Sequence, residues 1–220
     1  MTQPVTTPSP PKRGRPRDSE LANIRREQIV EAAFAVFSTD GIIPSTVADV
    51  ARRANIGQGT VYRYFAGKRE LIDAVFDYAV EQVINQVYPT ISGASPTNLA
   101  AMLQLVDELS KALFHLVDTR PELLQFVMSQ ASAVDDELKE RVLSLESTLA
   151  RSATGLIEPG VENGWIRPEV DPDFAGMLMV KALIPGFVHE LRQTSDNASR
   201  ARYRREVTQF LADALSPDTK

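Results

Sequence analysis

The stretch GQGTVYRYFAGKREL, residues 57 to 71, sets Tyr62, Arg63 and Tyr64 beside Phe65 behind a Gly-Gln-Gly segment. A helix buries only one face. If Val61 and Phe65 point inward at i, i+4, then Arg63 and Tyr64 point outward and Tyr62 sideways. A guanidinium and phenols displayed on a short helix after a tight turn supply the hydrogen bonds that a reader of a nucleic-acid groove needs. The plainer alternative is two bundle helices joined by a loop, with both tyrosines as half-buried packing.

The neighbouring elements must hold that display in place. Upstream, Thr46-Val47-Ala48-Asp49 has the form of a capping box. Val47, Val50, Ala51 and Ala54 continue it as a short helix. Asn55 to Gly59 offers two glycines for a turn, and Thr60 to Ala66 makes the next helix. Before them, Ile29, Ala33, Val36 and Phe37 form an amphipathic stripe from about Asn23, stopped by Gly41. After them, Lys68 to about Val87 is helical and ends at Tyr88-Pro89. Further stripes run from Leu99 to Val117, Leu123 to Met128 and Leu138 to Ile157, with Pro159, Gly160 and Gly164 bending or ending the last.

Phe174 to Val188 is almost wholly apolar, with Lys181 its only charge. A helix apolar on all sides needs two apolar neighbours. The final helix sets Tyr203, Val207, Phe210, Leu211, Ala214 and Leu215 opposite Arg200, Arg202, Arg204 and Arg205. Two such terminal helices suggest a self-complementary homodimer seam, a four-helix bundle involving Phe174, Leu178, Val207, Phe210 and Leu211. No alternating strand pattern appears, so the chain reads as all-α with about nine helices.

Composition narrows the chemistry. The 220 residues are 43% hydrophobic, enough to bury a core. There is no cysteine, hence no disulfide, thiol nucleophile or Cys-based zinc site, which fits a reducing, cytoplasmic setting. No apolar run reaches the ~20 residues that span a bilayer, so no membrane partner is expected. The two histidines, His115 and His189, have no metal-ligand spacing, and there is no phosphate-cradling glycine loop. Neither an enzyme nor a cofactor or metal site is expected. The net charge of −5 conceals a division: residues 1–69 carry 11 Lys and Arg against 6 Asp and Glu, and residues 70–220 carry 13 against 23. The basic end is the one suited to a polyanion.

Residues 23 to 83 resemble the N-terminal domain of the tetracycline-repressor (TetR) family. The likeness rests on Phe37-Ser38-Thr39-Asp40-Gly41, Ser45 to Ala51, Gly59-Thr60-Val61-Tyr62-Arg63-Tyr64-Phe65 and Lys68-Arg69-Glu70-Leu71. It implies a helix-turn-helix at 46–65 within a DNA-binding domain at 23–83, and a ligand-binding and dimerisation domain at 84–220. It also implies a DNA-contacting set of Thr46, Gln58, Gly59, Thr60, Tyr62, Arg63, Tyr64 and Lys68. In that reading Thr46 bonds a phosphate through hydroxyl and N–H. Gln58, Thr60 and Arg63 face base edges, Tyr62 and Tyr64 place hydroxyls on phosphates, and Lys68 clamps another. Ala48, where some members read a base, offers only a methyl. The family's small-molecule effector pocket would draw on Met102, Phe114, His115, Phe126 and Met177.

Together these expectations describe a ligand-responsive homodimeric regulator, a repressor, on a palindromic operator in double-stranded DNA. The alternative is an architectural protein for AT-rich DNA with a helical dimerisation scaffold.

Residues 1–22 read as a disordered basic arm, and its Arg13-Gly14-Arg15-Pro16 resembles the core of an AT-hook. Such an arm either slides its arginines along a narrow minor groove or adds salt-sensitive attraction. Deleting residues 1–17 is expected to weaken operator binding by ~1–3 kcal/mol at low salt, and an unchanged titration would remove the arm from the mechanism.

Overall fold

The computed structural model describes residues 18–190 and 196–217, and the side chains of 20–184 and 196–217. Among them are nine α-helices and no strand. They are α1 (Asp18–Asp40), α2 (Val47–Arg53), α3 (Gln58–Tyr62), α4 (Lys68–Ile91), α5 (Leu99–Thr119), α6 (Pro121–Gln125), α7 (Asp136–Glu162), α8 (Pro172–Glu190) and α9 (Asn197–Leu215). No helix among the described residues is long and apolar enough to cross a membrane.

The ends of these helices follow local chemistry, with some departures from the sequence reading. Gly41 ends α1 at φ +85°, a left-handed geometry that glycine adopts without strain. α1 itself starts earlier than expected, so residues 18–22 belong to the helix rather than to the arm. Asn98, Asp135 and Asp196 cap α5, α7 and α9 through their side chains. Pro89 and Pro159 lie inside the last turns of α4 and α7 instead of ending them. Each removes one backbone donor near a helix end, where few bonds remain to be lost. Between α6 and α7 the chain passes through a π-turn at Phe126–Gln130 and a 3-10 turn at Ala131–Ala133, which no sequence pattern announced.

One buried cluster runs the length of the protein. Its upper part joins Ile29, Ala33 and Phe37 of α1 to Val50 of α2, Val61 of α3 and Phe65 beyond it. α4 carries the core onward through Leu71, Val75 and Ala79 and runs unbroken past residue 83. Phe34 of α1 meets Tyr78 of α4 at 5.5 Å and Phe126 at 5.8 Å, so an aromatic cluster ties the upper helices to the lower body.

In the lower body α7 and α8 approach closely because Gly176 lacks a side chain. A Cβ there would sit 2.7 Å from the Thr154 backbone nitrogen and 2.9 Å from the Ala150 carbonyl oxygen. Since backbone cannot swing aside, Gly176→Ala is expected to force the helices apart and cost about 1–3 kcal/mol in urea unfolding. Unchanged stability would show that the approach is not tight.

Candidate nucleic-acid interface

Five residues cannot hold a helix on their own, so α3 depends on what it packs against. Val61 and Phe65 are each 1% exposed. The Arg26 guanidinium covers the Phe65 ring at 4.9 Å from its centroid. With that side anchored, Gln58, Gly59 and Arg63 are exposed, Tyr62 is 50% exposed, and Thr60 is half-buried. Tyr64 departs from the outward position expected of it. It is half-buried against the core, with the Arg63 guanidinium 5.9 Å from its ring centroid. Only its rim is left to reach a partner.

The turn is built differently from the sequence reading. The left-handed residue is Asn55, at φ 54°, a conformation that Asn tolerates better than most residues. Gly57 is the extended N-cap of α3 and Gly59 lies within the helix, which begins at Gln58 rather than Thr60. A Cβ at either glycine would meet nothing within 4 Å. Their absent side chains therefore leave the start of the helix bare.

Thr46 closes the expected capping box. Its oxygen accepts from Asp49 N–H at 3.2 Å, while its own N–H and hydroxyl donate to Asp49 Oδ2 at 2.9 and 2.6 Å. Both donors that the resemblance gives to a phosphate are thus already engaged by a carboxylate. A phosphate at this position has to displace Asp49 from them. Lys68 is likewise engaged, its Nζ donating to the Ile43 carbonyl at 2.9 Å, which ties the start of α4 to the α1–α2 loop. Arg52 and Arg53, in the last turn of α2, are exposed cations near the reader that the sequence reading passed over. A basic last turn on a short helix was the signal.

A second group was also missed. Arg69 of α4 pairs with Asp73 on its own helix and with Asp135 and Glu137 at the start of α7, at 2.8 and 2.9 Å. Arg141 of α7 answers by pairing with Asp73 at 3.1 Å and with Asp77, its guanidinium 4.4 Å from the Phe76 ring centroid. This ladder clamps α4 to α7. Asp135 and Glu137 supply two of its four carboxylates, and Asp73 and Asp77 the others.

Several expected positions differ further down the chain. Met102, Phe114 and Phe126 are buried, and none of them lines the clefts beside the α4–α5 loop or between α1 and α6. Tyr203 meets Phe114 edge-on at 6.1 Å, and Arg200 lies 5.4 Å from the same ring. His115 is exposed, because the inward face of α5 at that level belongs to Phe114 and Val117. Met177 is 39% exposed on α8. Leu211 is 4% exposed inside the protomer core, and Val207 is half-buried, while Phe174, Leu178 and Phe210 stand open at 57%, 40% and 59%.

Arg200 and Arg204 do not oppose the core as their spacing suggested. They turn toward α5 and pair with Asp118 and Asp107. Among the described residues no group of three His, Cys, Asp or Glu side chains could hold a metal. Arg13, Gly14, Arg15 and Pro16 lie outside the described residues, as does the His189 side chain.

A capped helix, a tight turn and a short helix with an anchored inner face and polar outer face define a helix-turn-helix unit that binds DNA. Residues 29–75 match the family described as bacterial regulatory proteins, tetR family. An uncharacterized HTH-type transcriptional regulator of Bacillus subtilis, YhgD, is 25% identical over 163 residues, covering 73% of this chain and 81% of the relative. The HTH-type transcriptional repressor KstR2 of Mycobacterium tuberculosis is 24% identical over 153 residues, covering 69% and 74%. The crystal structure of the regulator FadR from Bacillus subtilis in complex with stearoyl-CoA shares the fold, with a TM-score of 0.67 at 17% identity over 86% of this chain and 98% of that one. Residues 29–75 thus carry a domain of the tetR type, and the relatives that the chain matches over most of its length are transcriptional regulators.

Asp49 makes the capping of α2 sensitive to acid. Its carboxyl is held below the usual carboxylate range, first by the Thr46 hydroxyl and then by the Thr46 backbone N–H, with burial opposing them and Arg52 adding a smaller effect in their direction. A depressed folded-state value contributes stability above the unfolded value, and that contribution is lost as pH falls through the folded one. The thermal midpoint is therefore expected to drop below about pH 4, and Asp49→Asn to show a shallower drop. Parallel profiles would exclude this carboxylate as the cause.

Proposed function

We propose that the protein is a ligand-responsive repressor that binds a palindromic operator as a homodimer and releases it when a small molecule binds. The observation that carries the reading is the anchoring of Val61 and Phe65, which leaves Gln58 and Tyr62 of α3 and Arg63 at its end facing outward, with Thr60 half-buried among them. In a major groove these groups meet base edges and phosphates, with Arg63 suited to guanine. Arg52, Arg53 and Lys68 add charge for the backbone, and the arm around Arg13 and Arg15 adds more.

A second copy of the chain accounts for the open apolar groups on α8 and α9. Phe174, Met177, Leu178 and Phe210 are too large and too exposed to be left in water, and a two-fold axis would pair them with themselves. Two recognition helices about 34 Å apart then fit successive major grooves. KstR2, a repressor, and FadR, seen with stearoyl-CoA, support ligand-governed repression in this chain. Release requires an effector to move α4, which begins beside the reader and is clamped to α7 by Arg69 and Arg141. A coupling of ~1–3 kcal/mol suffices for a useful switch.

Selection of bound duplexes from a random pool tests the reading. A palindrome preferred about 10³-fold or more over random duplex is expected. Arg63→Ala should relax one base position at a cost of about 1–3 kcal/mol. The double variant Phe174→Glu, Phe210→Glu should sediment as a monomer and lose the paired-site preference. AT-rich sequences selected without symmetry would favour the architectural alternative instead.

A further inference from the structure

The α4–α5 loop and the last turns of α7 enclose a cleft of about 590 Å³, within the range of small-molecule sites. Pro96 of the loop, Leu156 of α7 and Trp165 beyond it are among the lining residues, and Ser95, Thr97 and Asn163 supply polar groups. The Asn163 amide nitrogen donates to the Pro159 carbonyl at 2.6 Å, which leaves its oxygen as an acceptor. No charged side chain lines this cleft. The other two clefts differ: one includes Glu108, and the other Glu31, Arg120 and Glu122.

Two glycines within α7 shape it. Gly160 seats the tryptophan, since a Cβ there would lie 2.8 Å from Trp165 Cη2. Gly155 does the opposite. It lines the cleft, and a Cβ at its position would meet nothing within 4 Å. An interior helical glycine weakens its helix relative to Leu or Ala, and neither a tight approach nor a left-handed φ asks for one at 155. The space it leaves open is the one thing a larger residue would take away.

We propose that this cleft binds an uncharged, partly aromatic small molecule, its ring against Trp165 and Leu156 and a polar group toward Thr97 and Asn163. An ionic ligand finds no counter-charge here and would have to shed its hydration without compensation. The loop that lines the cleft leaves the C-terminal end of α4, whose other end starts at Lys68 beside the reader. An occupant would therefore act on that helix through the loop. That effector role rests on the function proposed above, whereas binding itself does not.

Trp165 is the only tryptophan, so its emission reports on the cleft alone. The probe is N-phenyl-1-naphthylamine, a neutral aryl amine that accepts energy from indole, titrated into the full-length chain. Expected are saturable quenching of Trp165 at one probe per chain and binding at least about tenfold weaker for the charged analogue 1-anilinonaphthalene-8-sulfonate. Gly155→Leu should weaken the neutral probe by about tenfold or more with helical content unchanged, and Gly155→Ala should retain it within about threefold. Thr97→Phe obstructs the cleft from the loop side and should weaken it as well, which keeps the test open if Gly155→Leu misfolds. Undiminished binding in the folded obstructing variants, equal binding of the sulfonate, or quenching that never saturates would overturn the proposal. A chain that selects no duplex yet binds the probe would defeat the regulator reading and leave the cleft standing. One that selects an operator but fails the titration would do the reverse.

Discussion

The burial of Val61 and Phe65 is the constraint on which the interface depends. A helix of five residues has almost no intrinsic stability, so its orientation is set by the side chains it sinks into the body. Those two sink fully, beside Val50 and Leu71 in the same cluster, with Arg26 lying over the outer face of Phe65. Once that side is fixed, helical geometry leaves Gln58 and Tyr62 no place but outside. The order of causes runs from core packing to display, and from display to recognition.

α4 carries the next link. It shares the upper core through Leu71 and Val75, meets the lower body through the Phe34–Tyr78–Phe126 cluster, and is clamped to α7 by alternating arginines and carboxylates. These contacts differ in kind. The apolar and aromatic ones tolerate little displacement, because each depends on close fit. The ion pairs are part-exposed and individually weak, so they can lengthen or exchange partners at little cost. A helix held firmly by one set and loosely by the other can move as a rigid piece while its neighbours keep their own folds.

The groups that the resemblance gives to phosphates are engaged within the chain itself. Asp49 occupies both donors of Thr46, and Ile43 holds the Lys68 ammonium. A polyanion competes with these contacts rather than meeting bare donors, so part of the gross interaction energy is offset. The contacts hold the two short helices and the loop before them in a defined geometry while no partner is present.

What the sequence by itself determined was periodic and local. The apolar stripes, the Thr46–Asp49 box, the i, i+4 pair of Val61 and Phe65 and the glycine after α1 are signals within one or two helical turns, and each produced its element. The all-α architecture and the outward side of α3 follow from them. Tertiary structure alone decided which of two chemically equivalent faces is covered. Phe210 and Leu211 are adjacent and both apolar, yet one is open and the other buried. Phe114 and His115 likewise part company, and the space around Phe114 is taken by Tyr203 and Arg200 from residues far along the chain. The same holds for Arg69 with Asp135, since nothing local marks two charges that meet only after 66 residues of chain have folded between them. Periodicity states that a helix has an inside. Only its neighbours, brought by long-range packing, state where that inside is and what fills it.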